Sequence, residues 1–160
     1  MGKIIQLDKR HLVKMAEISL DSDHENDKIL KVKLLDYVKE FKRRFKIKHE
    51  KFFGYKEAGV LKGFANIKLF FPGHKHCELY WLAVDKEYQG NGIGTNLVSF
   101  VEKYAKEKGF RKIFAYTNKT MKRTRKFYEK LGYSLVNEFP GYYGYSNNKY
   151  TTAVLYSKVL

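Results

Sequence analysis

Apolar residues along the chain recur at two periods, and the switches between them mark its elements. Lys3 to Leu7 reads as a short strand. Asp8 stands where a cap belongs, ahead of a helix with Leu12, Met15 and Ala16 on one face. A second helix is predicted over Asp27 to Arg44, where Leu30, Leu34, Tyr37, Val38 and Phe41 return at helical spacing. Phe52 to Tyr55 and Val60 to Phe71 then read as a hairpin turning at Glu57-Ala58-Gly59. Pro72-Gly73 turns the chain into a strand from Cys77 to Val84. A glycine-rich loop follows, and then a helix from Thr95 to Lys108. Its apolar stripe is Leu97, Phe100, Val101, Tyr104 and Ala105, and Gly109 sits where a left-handed terminator belongs. Lys112 to Thr117 is a strand, and Met121 to Lys130 a helix stopped by Gly132. Tyr133 to Leu160 reads as two strands around a loop rich in Tyr and Gly. Both prolines, Pro72 and Pro140, are expected in turns. The order β-α-α-β-β-β-α-β-α-β-β describes an α/β domain built on a mixed sheet.

With 160 residues, 44% of them hydrophobic, the chain has the size and apolar content of one domain, 1–160, with one sizeable core. The longest apolar stretches, such as Leu79 to Val84, are too short to span a membrane. The first residues lack the apolar core of a signal peptide, so a cytoplasmic protein is the default expectation. Cys77 is the single cysteine and has no internal disulfide partner. No Cys/His cluster has zinc spacing, so no metal is expected.

Charge changes the picture more. Lys and Arg number 32 against 17 Asp and Glu, a net charge of +15. Such a surface implies an anionic partner: nucleic acid, a membrane surface or a polyanionic cofactor. The charge is spread over two stretches, Lys39 to Lys51 and Lys103 to Lys130, in which basic and apolar residues interleave at helical spacing. Solvated helix faces are the ordinary account of that pattern. A nucleic-acid-binding module would show a basic aromatic strand face or a recognised motif, and neither is visible, so only non-specific nucleic-acid contact is expected.

The most informative segment is Tyr88-Gln89-Gly90-Asn91-Gly92-Ile93-Gly94-Thr95, between a strand and a helix. The first N–H groups of a helix lack internal partners, and the helix dipole points them at an anion. Glycines let a phosphate approach the backbone closely, so this is a candidate pyrophosphate cradle. A Walker loop needs Gly-Lys-Ser/Thr, which is absent. A dinucleotide fingerprint needs G-x-G-x-x-G and a carboxylate after the next strand; here the spacing is G-x-G-x-G and that strand ends Tyr116-Thr117-Asn118.

Gln89-Gly90-Asn91-Gly92-Ile93-Gly94 resembles the Arg/Gln-x-x-Gly-x-Gly/Ala acetyl-CoA motif of the GNAT acetyltransferase superfamily. Leu82-Ala83-Val84-Asp85 before it and the helix after it fit the same motif. Phe127-Tyr128-Glu129-Lys130-Leu131-Gly132-Tyr133 resembles the family's second signature. The resemblance runs from Lys3 to Leu160 and implies a central mixed sheet of about six to seven strands with about four helices. It implies acetyl-CoA as co-substrate, bound at Gln89, Gly90, Asn91, Gly92, Ile93, Gly94 and Thr95. It further implies backbone contacts around Leu82, Ala83 and Val84 that polarise the thioester carbonyl. Many members carry Asn seven residues before the signature Tyr and Ala four before it; this chain has Met121 and Thr124. Asn118 is then the candidate for the missing coenzyme contact.

Acetyl transfer to an amine needs a base for the ammonium proton, an oxyanion site and an acid for the departing thiolate. Glu78 is the only carboxylate inside an otherwise apolar strand, a costly place unless it faces a wet cleft or a partner. Burial would raise its pKa into a useful range. Its place six residues before Val84 resembles a general-base position of the family's histone-acetylating branch. Binding the acceptor's positive charge is the alternative role. Tyr128 matches the family's general acid, and a tyrosine is protonated at neutral pH. Cys77 lacks a neighbouring base, and a lone cysteine is usually a small core residue. His76 is a minor acceptor-site candidate.

The expected activity is therefore an acetyl-CoA-dependent N-acetyltransferase acting on a protein N-terminus, a lysine, a polyamine or another small amine. The alternatives are a nucleic-acid- or ribonucleoprotein-binding module and a non-catalytic acyl-CoA sensor. The acceptor groove is expected from Asp21 to Lys48 and from Pro140 to Asn148, and both monomer and homodimer fit the sequence.

Overall fold

The computed structural model describes residues 1–22, 32–144 and 149–160. Seven strands form one sheet: β1 (Lys3–Gln6), β2 (Glu50–Glu57), β3 (Val60–Leu69), β4 (His76–Val84), β5 (Lys112–Asn118), β6 (Ser134–Gly144) and β7 (Tyr150–Val159). Their order is β1-β2-β3-β4-β5-β7-β6. Four α-helices are described: α1 (Leu12–Ser22), α2 (Leu34–Arg44), α3 (Ile93–Glu107) and α4 (Lys122–Lys130). The element order is the one expected from the hydrophobic pattern.

Two differences have local causes. The helix predicted from Asp27 begins at Leu34 among the described residues, because Lys33 is extended and its N–H donates to Asp36 Oδ2 at 2.9 Å. The predicted residues 27–31 lie outside the described residues. Pro140 is not in a turn but inside β6, where the register with β7 breaks between Phe139 and Tyr143. β6 is the outermost strand, and a proline's missing donor is tolerated at an edge or a bulge. The hairpin at Glu57-Ala58-Gly59 forms as expected: Ala58 and Gly59 both have positive φ, 48° and 80°, which matches the twist of the flanking strands.

The sheet separates two cores. On one face α3 brings Leu97, Val98, Val101 and Ala105 onto Ile67, Leu79, Ile113 and Ala115, with Tyr128 of α4 alongside. On the other, Met15, Ile18, Tyr37 and Phe41 of α1 and α2 pack on Phe52 and Phe64. Rings of Phe41 lie edge-on to Phe52, Phe64 and Trp81, at centroid separations of 4.9–6.0 Å.

Every neighbouring pair of strands is antiparallel except β4 and β5. That parallel pair is short, joining His76, Cys77 and Glu78 to Lys112, Ile113 and Phe114. Beyond Glu78 the two strands separate. The cause lies partly in a bulge: against β3, Asn66 pairs with Trp81 and Ile67 with Leu79, leaving Tyr80 without a partner. A bulge bends its strand and increases its twist. β5 meanwhile stays paired with β7 along all its residues, Lys112 to Asn118. β4 thus follows β3, β5 follows β7, and a fork opens between them with Glu78 at its base.

One buried ion pair ties α2 to β2 beside this fork. Arg44 donates from Nη1 to both oxygens of Glu50, at 2.8 and 3.0 Å, and from Nε to Glu40 at 2.8 Å. Its guanidinium also lies 3.8 Å from the Tyr80 ring centroid. Arg44 and Glu50 are both buried. Arg44→Met would leave Glu50 buried without its counter-charge, and breaking such a pair costs about 3–5 kcal/mol. Urea unfolding should show a loss of that order; a loss below about 1 kcal/mol would contradict the pair's role.

Candidate active site

The glycine loop occupies the start of α3. Asp85, whose carboxylate accepts from the Glu87 N–H at 3.2 Å, begins a single helical turn, Lys86–Tyr88. Gln89 folds back, its Nε2 donating to the Val84 carbonyl at 3.1 Å, and Asn91 Nδ2 donates to the Tyr88 carbonyl at 3.3 Å. These amides fix the loop's shape. Gly90 and Gly92 have φ of 83° and 76°, where other residues are strained, and a Cβ at either would meet nothing within 4 Å. Gly92 caps α3 without a side chain, and no acidic residue lies in the first turn. The N–H groups of Ile93, Gly94 and Thr95 precede the first intrahelical bond, from the Asn96 N–H to the Gly92 carbonyl at 2.9 Å. Such a helix start suits an anion with close backbone approach. Gly94 lies against Phe127 of α4, where an added Cβ would make ordinary contact with the ring at 3.5 Å.

Leu82, Ala83 and Val84 form the last part of β4, paired on one side with Ala65, Phe64 and Gly63 of β3. On the β5 side no strand pairs with them, so backbone groups of that edge face the fork.

Glu78 is 4% exposed. Its Oε2 is fully buried and makes no hydrogen bond; the Lys68 ammonium lies 3.6 Å away, beyond hydrogen-bonding distance. Burial pushes the Glu78 carboxyl up, opposed by Lys68 and more weakly by Arg44. Burial also pushes the Lys68 ammonium down, opposed chiefly by Glu78. Desolvation thus drives both partners toward their neutral forms. Lys68 also lies 3.4 Å from the Tyr80 ring centroid, so the bulged residue carries two cations, Arg44 and Lys68.

Tyr128, from α4, is buried beside Tyr133 and Tyr156, at ring separations of 5.3 and 6.0 Å. Burial holds its hydroxyl far above the ordinary tyrosine range, reinforced by Tyr143 and Glu78. The hydroxyl therefore stays protonated at neutral pH. Asn118, at the end of β5, is buried, and its side chain is engaged at both ends. Nδ2 donates to Thr151 Oγ1 at 2.7 Å, and Oδ1 accepts from the Thr120 N–H at 3.1 Å and the Thr120 hydroxyl at 3.0 Å. Cys77 is buried, with its thiol pushed up to about 12 by desolvation, which removes it as a nucleophile. His76 packs its ring on Phe114 at 5.6 Å. Among the described residues no cluster of His, Cys, Asp and Glu has the form of a metal site.

Sequence reasoning missed Lys68, Arg44, Glu50 and Tyr80. Their one signal is a charged residue at an inward position of a strand, which Glu50 and Lys68 share with Glu78.

The model of the acetyltransferase (GNAT) family matches residues 13–133, and the chain belongs to that family. The ribosomal-protein-S18-alanine N-acetyltransferase of Escherichia coli superposes with a TM-score of 0.82 at 18% identity, covering 99% of this chain and 94% of that one. An N-acetyltransferase of Staphylococcus aureus Mu50 superposes with a TM-score of 0.78 at 20% identity, covering 99% and 98%. At such identities the likeness shows the fold. The mycothiol acetyltransferase of Propionibacterium freudenreichii is 33% identical over 87 residues, which cover 54% of this chain and 28% of that protein. The chain spans less than a third of the length of the curated relatives it matches.

Gly92→Asp tests the cradle. A carboxylate and a strained backbone would replace open space at the helix start, so coenzyme A binding by calorimetry should be abolished. The thermal transition should persist, lowered by no more than a left-handed non-glycine residue costs, about 1–2 kcal/mol. Unchanged affinity would move the anion site elsewhere.

Proposed function

We propose that this chain transfers the acetyl group of acetyl-CoA directly to a primary amine. The observation that carries the reading is the buried Glu78 oxygen, which faces Lys68 at 3.6 Å and makes no hydrogen bond among the described residues, at the base of a fork whose far end opens beside the glycine loop. A base with no hydrogen bond to lose is free to accept a proton.

In this reading the N–H groups at Gly90 to Thr95 hold the pyrophosphate, with Gln89 and Asn91 setting the loop. Bound acetyl-CoA supplies an activated acetyl thioester. Backbone N–H groups of Leu82 to Val84 polarise its carbonyl, and Glu78 takes the proton from the attacking nitrogen. Tyr128, kept protonated by burial, donates to the departing sulfur. Asn118, which holds the Thr120 turn ahead of α4, is the candidate for the missing coenzyme contact. The acceptor class is a free amine: a protein N-terminus, a lysine, a polyamine or another small amine.

The pH dependence follows from Glu78. Only the ionised carboxylate accepts a proton, so turnover rises as pH climbs through the Glu78 pKa. Because burial raises that pKa, the acidic limb should lie above the ordinary carboxylate range. Lys68 pulls the pKa down, so Lys68→Met should move the limb to still higher pH. Glu78→Gln should lower turnover by about 10²–10⁴-fold with coenzyme affinity retained, since a general base contributes that much. Wild-type turnover in Glu78→Gln at every pH would remove Glu78 from the mechanism.

A further inference from the structure

One wall of the fork is aromatic. Phe114 and Tyr116 sit on the Glu78 face of β5, because Phe114 is the register partner of Glu78 while Ile113 and Ala115 turn into the core under α3. Tyr116 continues into a cluster supplied by β6. Its ring stacks on Tyr142 at 5.8 Å with 10° between the planes, and Phe139 lies 6.1 Å from both. Tyr143 follows, 5.1 Å from Tyr142. Tyr142 is 57% exposed, a large aromatic surface left open to solvent. The wall adjoins the proposed chemistry: Tyr116 stands two residues beyond Phe114, the register partner of Glu78, on the same face of β5. The opposite arm of the fork carries Tyr80 and Trp81, with ring centroids 6.2 Å apart.

Charge around Glu78 is already balanced among the described residues. Glu40 and Glu50 are bound by Arg44, with Arg43 also on Glu40, and Glu78 faces Lys68. On β6, Glu138 is held by Lys119 at 2.6 Å. Each of these carboxylates has its own cation, so among these described residues none is left over for the second and third ammonium groups of a polyamine. The whole chain, at +15, also repels a polycation. What the fork offers is one buried carboxylate oxygen without a hydrogen bond and a broad π surface beside it.

Resting on the acetyl-transfer reading, we propose that the wall of Tyr116, Phe139 and Tyr142 is an acceptor subsite, and that the acceptor is a monocationic primary amine carrying an aromatic group. The amine approaches Glu78 and the aromatic group stacks on the wall. Offset stacking and edge contacts between rings are favourable beyond the area they bury. The shared chemistry occurs in two sources, a free arylalkylamine and a peptide whose first residue is aromatic.

The test compares kcat/KM for 2-phenylethylamine, n-propylamine, spermidine and two peptides that begin with Phe or Ala. A hydrophobic pocket discriminates by roughly 10–200-fold for small apolar differences. We expect 2-phenylethylamine or the Phe peptide to exceed its partner without a ring by about tenfold or more, and whichever does so identifies the source. Tyr142→Ala should bring that ratio close to one; Tyr142 is exposed, so the fold should tolerate the change. Calorimetry of 2-phenylethylamine with the protein alone should show binding that Tyr142→Ala weakens. Equal or better turnover of n-propylamine or spermidine would overturn the inference, as would a ratio that Tyr142→Ala leaves unchanged. Acetylation of these amines without ring preference would sink this inference and leave the acetyl-transfer reading standing. If no amine were acetylated, that reading would fall, and the calorimetric arm would decide the subsite by itself.

Discussion

The shortness of the β4–β5 pairing governs the rest of the molecule. Three residues on each strand are joined, and then the sheet divides. A continuous ladder would satisfy every backbone group of β4 and leave no cleft. The division instead exposes the edge of Leu82 to Val84 and places the last paired residue, Glu78, at the base of a fork. The bulge at Tyr80 makes the division local, since it changes the twist of β4 between its paired and unpaired parts. Past the free end of β4 the turn Lys86–Tyr88 leads into the glycine loop that starts α3, so the loop follows the same strand that carries the buried carboxylate.

Holding an ionisable group at that base carries a cost, visible in the raised Glu78 carboxyl. The surroundings limit it without abolishing it. Lys68 approaches to 3.6 Å but makes no hydrogen bond, and Lys68 is itself depressed by burial. A closer pair would hold the carboxylate ionised, and no pair would leave it to the upward push of burial. Tyr80 holds Lys68 from one side and Arg44 from the other, and Arg44 is fixed by Glu50 and Glu40. Helix α2 is thus linked to Glu78 through consecutive charge and ring contacts.

Much of this was legible in the sequence, for identifiable reasons. The element order followed from hydrophobic period, and the loop that starts α3 from glycines ahead of an amphipathic helix. Glu78 stood out because a carboxylate in an apolar strand is a local anomaly. Lys68, Arg44 and Glu50 were hidden, because each belongs to a chain already rich in charge and their meeting depends on strand register. The aromatic wall was hidden for the same reason: Tyr116 and Tyr142 are far apart in sequence and meet only because β7 and then β6 follow β5 in the sheet. Pro140 misled because a proline reads as a turn until its strand is known to be outermost. Asn118 lies three residues before Met121, the position where the family pattern has Asn, and its side chain holds the turn at Thr120.

The central claim is that the cradle at the start of α3 and the free edge of β4 bind one ligand together, with Glu78 at the near end. Hydrogen exchange of backbone amides, measured with and without acetyl-CoA, tests it most directly. The account predicts slowed exchange at Gly90 to Thr95 and at Leu82 to Val84 in the same titration, with the outer strand β1 unaffected. Protection of the loop without the β4 edge, or of neither, would contradict it.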